Sequence, residues 1–321
     1  MISVALITAR PNPELKWFFQ SLARCSKREA VSQVIIVDHF AQECDGRSVS
    51  DVSQATNRVM EAAGMFKDVT QHVPPKPNVW NGRHRLTPRN WWAAANARNT
   101  ALCLCKNGFI AYLDDRCVLA PTWMDAVLEA RSKQYVVCGT YEKRSGMAVS
   151  DGLITDLGEL VGEDPRMNGE TNPCRRRRCP GEWVFGCTFA LPTEWMLQVN
   201  GVDESWDSAG MEDTHFGKML ENNRRPIFHD GRMKMIEDRA PQEKDPTCRE
   251  HDMKRDSKEK HPYDATDKTH TLKQRLWNRK RADHAWDLAS IRESVLSGGQ
   301  FPVPTGPAHD WFDNQPLKDM T

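Results

Sequence analysis

The sequence predicts an α/β protein, on three observations. Continuously apolar runs of the kind buried on both faces of a parallel sheet alternate with helical patterns of three- and four-residue spacing. Short polar or acidic clusters follow where the apolar runs end. Open α/β sheets bind ligands at the carboxyl ends of their strands, so those clusters are the places to look for function.

Taken in order, Ser3 to Thr8 is a short apolar strand that stops at Ala9-Arg10-Pro11-Asn12-Pro13, where two prolines end regular pairing. Glu14 to Cys25 follows as a helix, with Leu15, Phe18, Phe19 and Leu22 on one face. Val34 to Val37 is a second strand, ending in Asp38. Trp92 to Cys105 reads as a helix, Phe109 to Leu113 as a strand ending in Asp114-Asp115, Pro121 to Ser132 as a helix and Tyr135 to Thr140 as a strand. Glu142 to Glu182 is rich in Gly, Pro and charge, contains Arg175 to Arg178, and is expected to be a long functional loop that is mobile without ligand and serves the acceptor side. Val184 to Leu191 is apolar again, and helices are expected at Glu194 to Asn200, Asp213 to Asn222, Thr266 to Arg281 and Trp286 to Leu296, before a Pro- and Gly-rich tail. No internal repeat is evident.

The 321 residues allow one large or two ordinary domains, and 44 basic side chains against 44 acidic ones give a formal charge of zero. Global attraction to nucleic acid or an anionic membrane is therefore not indicated, and such a partner would need a local patch. Adding Gly to the 39% hydrophobic fraction and removing Tyr gives roughly 44% apolar, close to the globular range. No apolar run approaches the roughly 20 residues of a membrane span, and the first residues lack a signal-peptide pattern, so a soluble, cytoplasmic protein is expected. Ten cysteines at irregular spacings read as small buried residues, and neither Cys103/Cys105 nor Cys174/Cys179 has zinc-ribbon spacing. Residues 1–231 are expected to form the sheet domain. Residues 232–321 are expected to form a charged, partly helical extension: Gly231 to His284 alone carries 15 Lys and Arg against 11 Asp and Glu.

Three constellations carry chemistry. Asp114 and Asp115, adjacent carboxylates at a strand end, repel one another unless a cation or solvent relieves them, and a hard divalent ion suits them as well as a solvated turn does. Asn96, Arg98 and Asn99 share a helix, where amides and a guanidinium can read a nucleotide or diphosphate. Glu212 and Asp213 open a helix, where the macrodipole favours carboxylates whether they cap or catalyse. Trp206 lies on the loop leading to that pair, and His229 follows a short apolar strand.

In this order the segments resemble the family 2 glycosyltransferases with the GT-A fold, over roughly residues 2 to 231. The resemblance implies a Rossmann-like mixed sheet flanked by helices that moves a sugar from a nucleotide-diphosphate donor to an acceptor hydroxyl, with inversion and with Mn or Mg as cofactor. It further implies that Thr8, Arg10, Asp38, Lys76, Asn96, Arg98, Asn99, Asp114 and Asp115 serve the donor. Gly186, Cys187 and Trp206 fall on the acceptor side, Asp213 is matched to the general base with Glu212 beside it, and Asp115 and His229 are matched to the metal. Aligned through Pro121, the family's last metal Asp falls on Arg116. Either Asp115 and His229 hold the ion, or Arg116 supplies part of the positive charge itself. The acceptor is left open among a saccharide, a lipid, a small molecule and a hydroxymethylated DNA base, which would have to be flipped out of a duplex. A nucleotidyltransferase would need a Gly-rich phosphate loop after the first strand, and none is present. The remaining alternative is a nucleic-acid-binding protein that uses Arg175 to Arg178, with the acidic pairs structural.

Overall fold

The computed structural model describes residues 1–10, 13–42, 48–78, 93–204, 207, 211–239 and 287–303. The strands are β1 (Ile2–Thr8), β2 (Val31–Asp38), β3 (Thr70–Val73), β4 (Phe109–Asp114), β5 (Cys117–Leu119), β6 (Val136–Ser145), β7 (Ala148–Ser150), β8 (Leu153–Asp156), β9 (Glu159–Glu163), β10 (Arg176–Arg178), β11 (Thr188–Pro192) and β12 (Ile227–Asp238). The helices are α1 (Leu15–Arg24), α2 (Val49–Ala63), α3 (Ala94–Leu104), α4 (Trp123–Lys133), α5 (Thr193–Gln198), α6 (Glu212–Asn222) and α7 (Leu288–Leu296).

Among the described residues ten strands form one sheet in the order β10-β12-β6-β11-β4-β1-β2-β3, with β5 on β12 and β9 on β6, while β7 and β8 pair separately. β1 is parallel to both β2 and β4, and β11 is antiparallel to β4 and β6. The mixed α/β sheet predicted from the sequence is thus present. Parallel β1, β2 and β4 bring Thr8, Asp38 and Asp114 to one edge, since Thr8 is opposite Asp38 and Ile7 opposite Asp114.

Each face of the sheet is buried under helices, which is why the strands are apolar on both sides. One core combines Leu15, Phe18, Phe19 and Leu22 of α1 with Val59 of α2 and Trp123, Met124 and Val127 of α4. The other joins Ala97, Ala101 and Leu102 of α3 to Met196 of α5, Phe216 and Leu220 of α6 and Leu288 and Ile291 of α7. Buried Trp123 donates its indole N-H to Thr188 Oγ1 at 3.1 Å, so the largest side chain of the first core leaves no polar atom unpaired.

Two expectations are corrected. Residues 142 to 182 are not one long loop: β6 extends to Ser145, β7, β8 and β9 follow, and Arg176–Arg178 is itself a strand at the sheet edge. β12 runs to Asp238, through the expected boundary at 231, and α7 packs its Leu288 and Ile291 into the sheet domain's core. The helix expected at 266 to 281 lies outside the described residues, and no helix among the described residues is long and apolar enough to cross a membrane.

Candidate active site

Two groups of side chains meet at the edge where the parallel strands end. In the first, Arg98 of α3 is a buried fork. Its Nη1 donates to Glu212 Oε1 at 2.8 Å and its Nη2 lies 3.5 Å from Asp114 Oδ1. Burial would weaken the charge on this guanidinium, but Glu212, Asp114 and Asp213 together overcome it and hold it firmly protonated. Glu212 shows the opposite balance. Burial raises its pKa, Arg98 pulls it down, and the neighbouring Asp213 pushes it up again, for a net rise.

Asp213 accepts from two main-chain donors: Gly186 N-H reaches Oδ2 at 2.6 Å and Thr214 N-H reaches Oδ1 at 2.7 Å. The latter is one of the donors left over at a helix start. Gly186 has a steric role as well. A Cβ built there would overlap the Arg98 guanidinium, so only glycine leaves room for the fork. The next residue closes the group, for Cys187 O accepts from Asp114 N at 3.2 Å. Arg98 of α3, Asp114 of β4, Gly186 and Cys187, and Glu212 and Asp213 of α6 are therefore linked by a chain of contacts.

The second group surrounds Asp115. Thr8 Oγ1 donates to its Oδ2 at 2.5 Å and Arg10 Nε to its Oδ1 at 2.9 Å. Arg10 also lies 4.0 Å from Glu237 near the end of β12, and Lys143 lies 3.7 Å from the same carboxylate. Burial raises the Glu237 pKa, with Asp114 adding to the rise and Lys143, Arg239 and Arg10 opposing it. Arg116, in the left-handed region at φ 51°, donates from Nη2 to Asp238 Oδ2 at 2.5 Å, while Asp238 N donates to Arg116 O at 3.0 Å. Glu237 and Asp238 were not foreseen from sequence, where the last strand was expected to be short.

The remaining candidates lie elsewhere or face inward. His229 is opposite Cys138, which is opposite Phe189, which is opposite Tyr112 of β4. Three strand spacings, about 14 Å, therefore separate it from the strand that leads to Asp115. Its ring stacks edge-on against Trp183 and its Nε2 is 3.9 Å from Asp164, so the expected Asp115–His229 pair does not assemble. Asp38 accepts from Phe40 N at 2.8 Å and lies 3.0 Å from His72 Nε2, whose Nδ1 is 2.9 Å from Thr56 Oγ1.

Lys76, Asn96 and Asn99 face the protein, not a ligand cleft. Lys76 Nζ is 2.8 Å from Glu204 Oε1, Asn96 Nδ2 donates to Lys76 O at 2.9 Å, and Asn99 Nδ2 donates to Val202 O and Glu204 Oε1. Asp207 accepts from the N-H groups of Ala95 and Asn96 at the start of α3. These polar residues fasten Val202, Glu204 and Asp207 onto α3. Trp206 itself lies outside the described residues. In the Arg175–Arg178 run, Arg176 is engaged by Glu129 and Tyr135, and Arg175 and Arg177 by Glu170, on a strand four positions from β4.

The residues at this edge do not form the ion site expected from sequence. Among the described residues no three His, Cys, Asp or Glu side chains are grouped so as to hold a metal. Both oxygens of Asp115 accept bonds from Thr8 and Arg10, and both of Asp238 from Arg116 and Met147 N.

The architecture is that of the GT-A glycosyltransferases: a mixed sheet flanked by helices, with acidic clusters where the parallel strands end. No protein-family model matches the sequence, and no curated protein is significantly similar to it. Among solved structures the chain is similar to GalNAc-T7 crystallised with UDP, GalNAc and Mn2+, at 13% identity and a TM-score of 0.50, over 94% of this chain. The match spans 59% of the length of GalNAc-T7. It is also similar to residues 1–349 of S. aureus TarS, at 12% identity and a TM-score of 0.47, covering 94% of this chain and 93% of that one. At such identities the likeness is one of fold.

Proposed function

We propose that the protein transfers a sugar from a nucleotide-diphosphate donor to an acceptor hydroxyl, with Asp213 as general base. The observation that carries this reading is the convergence of Arg98, Asp114, Gly186, Glu212 and Asp213 at the carboxyl edge of a GT-A sheet, where α/β folds take their ligands. Resemblance to a sugar-transferring fold raises the prior, while the residue roles rest on the contacts themselves.

Transfer needs a proton removed from the acceptor oxygen as that oxygen attacks the anomeric carbon and the bond to the diphosphate breaks. Asp213 suits the first task. Two main-chain N-H groups fix its oxygens in place at the start of α6. Glu212 is tied to Arg98 and so is assigned to holding that fork in place. With Asp213 as the base and Glu212 engaged by Arg98, the reading is a single displacement with inversion. Thr8 and Asp38, the last residues of β1 and β2, and Arg10 just beyond β1 are assigned to the donor side. The acceptor is defined here only as a hydroxyl group.

The test is a thermal-shift and turnover screen with UDP-, GDP-, CDP-, ADP- and dTDP-sugars, since a ligand that binds only the native state raises its stability. A donor that stabilises the protein and releases its nucleoside diphosphate supports the reading. No shift and no release across the panel would overturn it. The nucleic-acid-binding alternative forecasts DNA or RNA binding with a steep salt dependence in place of nucleotide-sugar binding.

A further inference from the structure

We infer that the positive charge facing the donor diphosphate is supplied by the protein's own guanidinium groups, Arg10 and Arg116, in place of a divalent cation. The inference rests on the donor reading above and deepens it.

The argument is one of charge matching. Four carboxylates stand at the donor edge, and each is near a cation of the chain. Asp115 has Arg10 at 2.9 Å, Asp114 has Arg98 at 3.5 Å, Asp238 has Arg116 at 2.5 Å, and Glu237 has Lys143 at 3.7 Å with Arg239 and Arg10 at 3.9 and 4.0 Å. A divalent ion binds where several carboxylate oxygens converge without compensating charge. Here that compensation is already built in.

Arg116 supplies the second strand of the argument. It occupies the turn after β4 where the family resemblance implies an acidic ligand, and it is fixed to the end of β12 through both main chain and side chain. A metal shared by those two segments would join them electrostatically, and the Arg116–Asp238 ion pair, with the main-chain hydrogen bond beside it, already joins the same two segments without one. Trp17 packs against the Arg116 guanidinium, with 5.5 Å from its central carbon to the ring centroid, which further fixes the group. A guanidinium carries five N-H donors, so one bond to a carboxylate does not exhaust it, and its planar fork suits phosphate oxygens. Arg10 and Arg116 follow the ends of β1 and β4, adjacent strands of the sheet, and both side chains are 17% exposed, open enough to meet a ligand.

The experiment has two arms and uses the full chain. Mn2+ is titrated into the protein and followed by electron paramagnetic resonance, with and without nucleoside diphosphate. Calorimetry then measures binding of UDP, GDP, CDP, ADP and dTDP in EDTA and again in Mn2+. The expected result is no protein-bound Mn2+ up to about 1 mM and diphosphate affinities that agree within about threefold between EDTA and Mn2+. Saturable Mn2+ binding well below that concentration, or a diphosphate affinity raised about tenfold or more by Mn2+, overturns the inference and leaves the donor reading standing. Failure of every nucleotide to bind in both buffers takes down the donor reading and this inference together. Arg10→Met and Arg116→Met should each weaken diphosphate binding in EDTA roughly ten- to hundredfold, the scale of a charge-assisted hydrogen bond, while binding of the matching nucleoside is unchanged. Equal loss for nucleoside and diphosphate, at an unaltered melting temperature, would also overturn it.

Discussion

Replacing Asp213 by Asn separates a catalytic carboxylate from a structural one, and the structure sets the scale of both effects. Two N-H groups, from Gly186 and Thr214, point at its two oxygens at 2.6 and 2.7 Å. An amide has one oxygen and one NH2, so Asn can satisfy only one of them and sets donor against donor at the other. Leaving a partly buried donor unpaired costs about 1–3 kcal/mol. In a protein of this size that corresponds to a fall in melting temperature of roughly 2–10 °C. A folded, donor-binding protein should therefore persist. Loss of the base should lower turnover far more, by about two to four orders of magnitude. The assay is release of nucleoside diphosphate from the sugar donor identified by the screen, with donor affinity and melting temperature measured on the same preparation. Turnover within about threefold of wild type would refute the assignment of Asp213 as base, because a true general base cannot be removed at so small an effect. A fall in turnover matched by lost donor binding would instead indicate collapse of the site.

Three further outcomes follow from contacts described above. Gly186→Ala places a Cβ against the Arg98 guanidinium, and Arg98→Met leaves Glu212 and Asp114 without their shared cation; the latter should cost about 3–5 kcal/mol by denaturant titration, and both should depress turnover while donor affinity changes little. Lys76→Met should destabilise the protein by a similar about 3–5 kcal/mol because Glu204 is then buried unpaired, and adding Glu204→Gln should recover part of the loss; equal stability of single and double variants would exclude the pairing. Glu129, bonded to Lys133, Arg232 and Arg176, has its pKa lowered from 4.5 to about 2, so its contribution is complete above pH 4.5 and is lost as the pH falls towards 2; Glu129→Gln should flatten that limb of a stability–pH profile, and an unchanged profile would argue against the cluster.

Which parts of this molecule could be read from its sequence follows from how each part is encoded. β1, β2, β4 and α1 announce themselves because burial on one or two faces imposes a periodicity that no other structure uses. α2 was missed, although Ser48 and Asp51 form a capping box at its start, and that pair was the available signal. β7 to β10 are short and largely exposed, so they carry little hydrophobic alternation. β12 does alternate through Met233, Lys234 and Met235, but its pairing with β6 slips between His229 and Lys234, and the irregularity breaks the period and hides Glu237. Among the candidate site residues, Asn96, Asn99 and Lys76 show the limit of residue type as evidence. An amide that reads a nucleotide and an amide that fastens a loop look alike in a sequence; the direction in which each points is set by its partner, which for Asn99 is Val202 and Glu204, more than a hundred residues away, and for Asn96 is the carbonyl of Lys76.

Arg98 is the point where the two halves of the site become one mechanical unit. Its buried guanidinium joins the last residue of β4, Asp114, to the first residue of α6, Glu212. Breaking these pairs is costly on the Arg98 side, because its buried guanidinium cannot fall back on solvent. The cheap motions of this site are therefore those that carry Asp114, Arg98, Glu212 and Asp213 together. Gly186 enforces the same coupling from the other side, since it donates its N-H to Asp213 while yielding, by having no side chain, the space that Arg98 fills. A base that must meet an acceptor oxygen at the moment a diphosphate departs gains from such a linkage, because geometry set on the donor side is transmitted to Asp213 through a rigid planar group and not through a flexible loop. That coupling makes a specific demand: substitutions at Arg98 should affect turnover more than the affinity for either substrate alone.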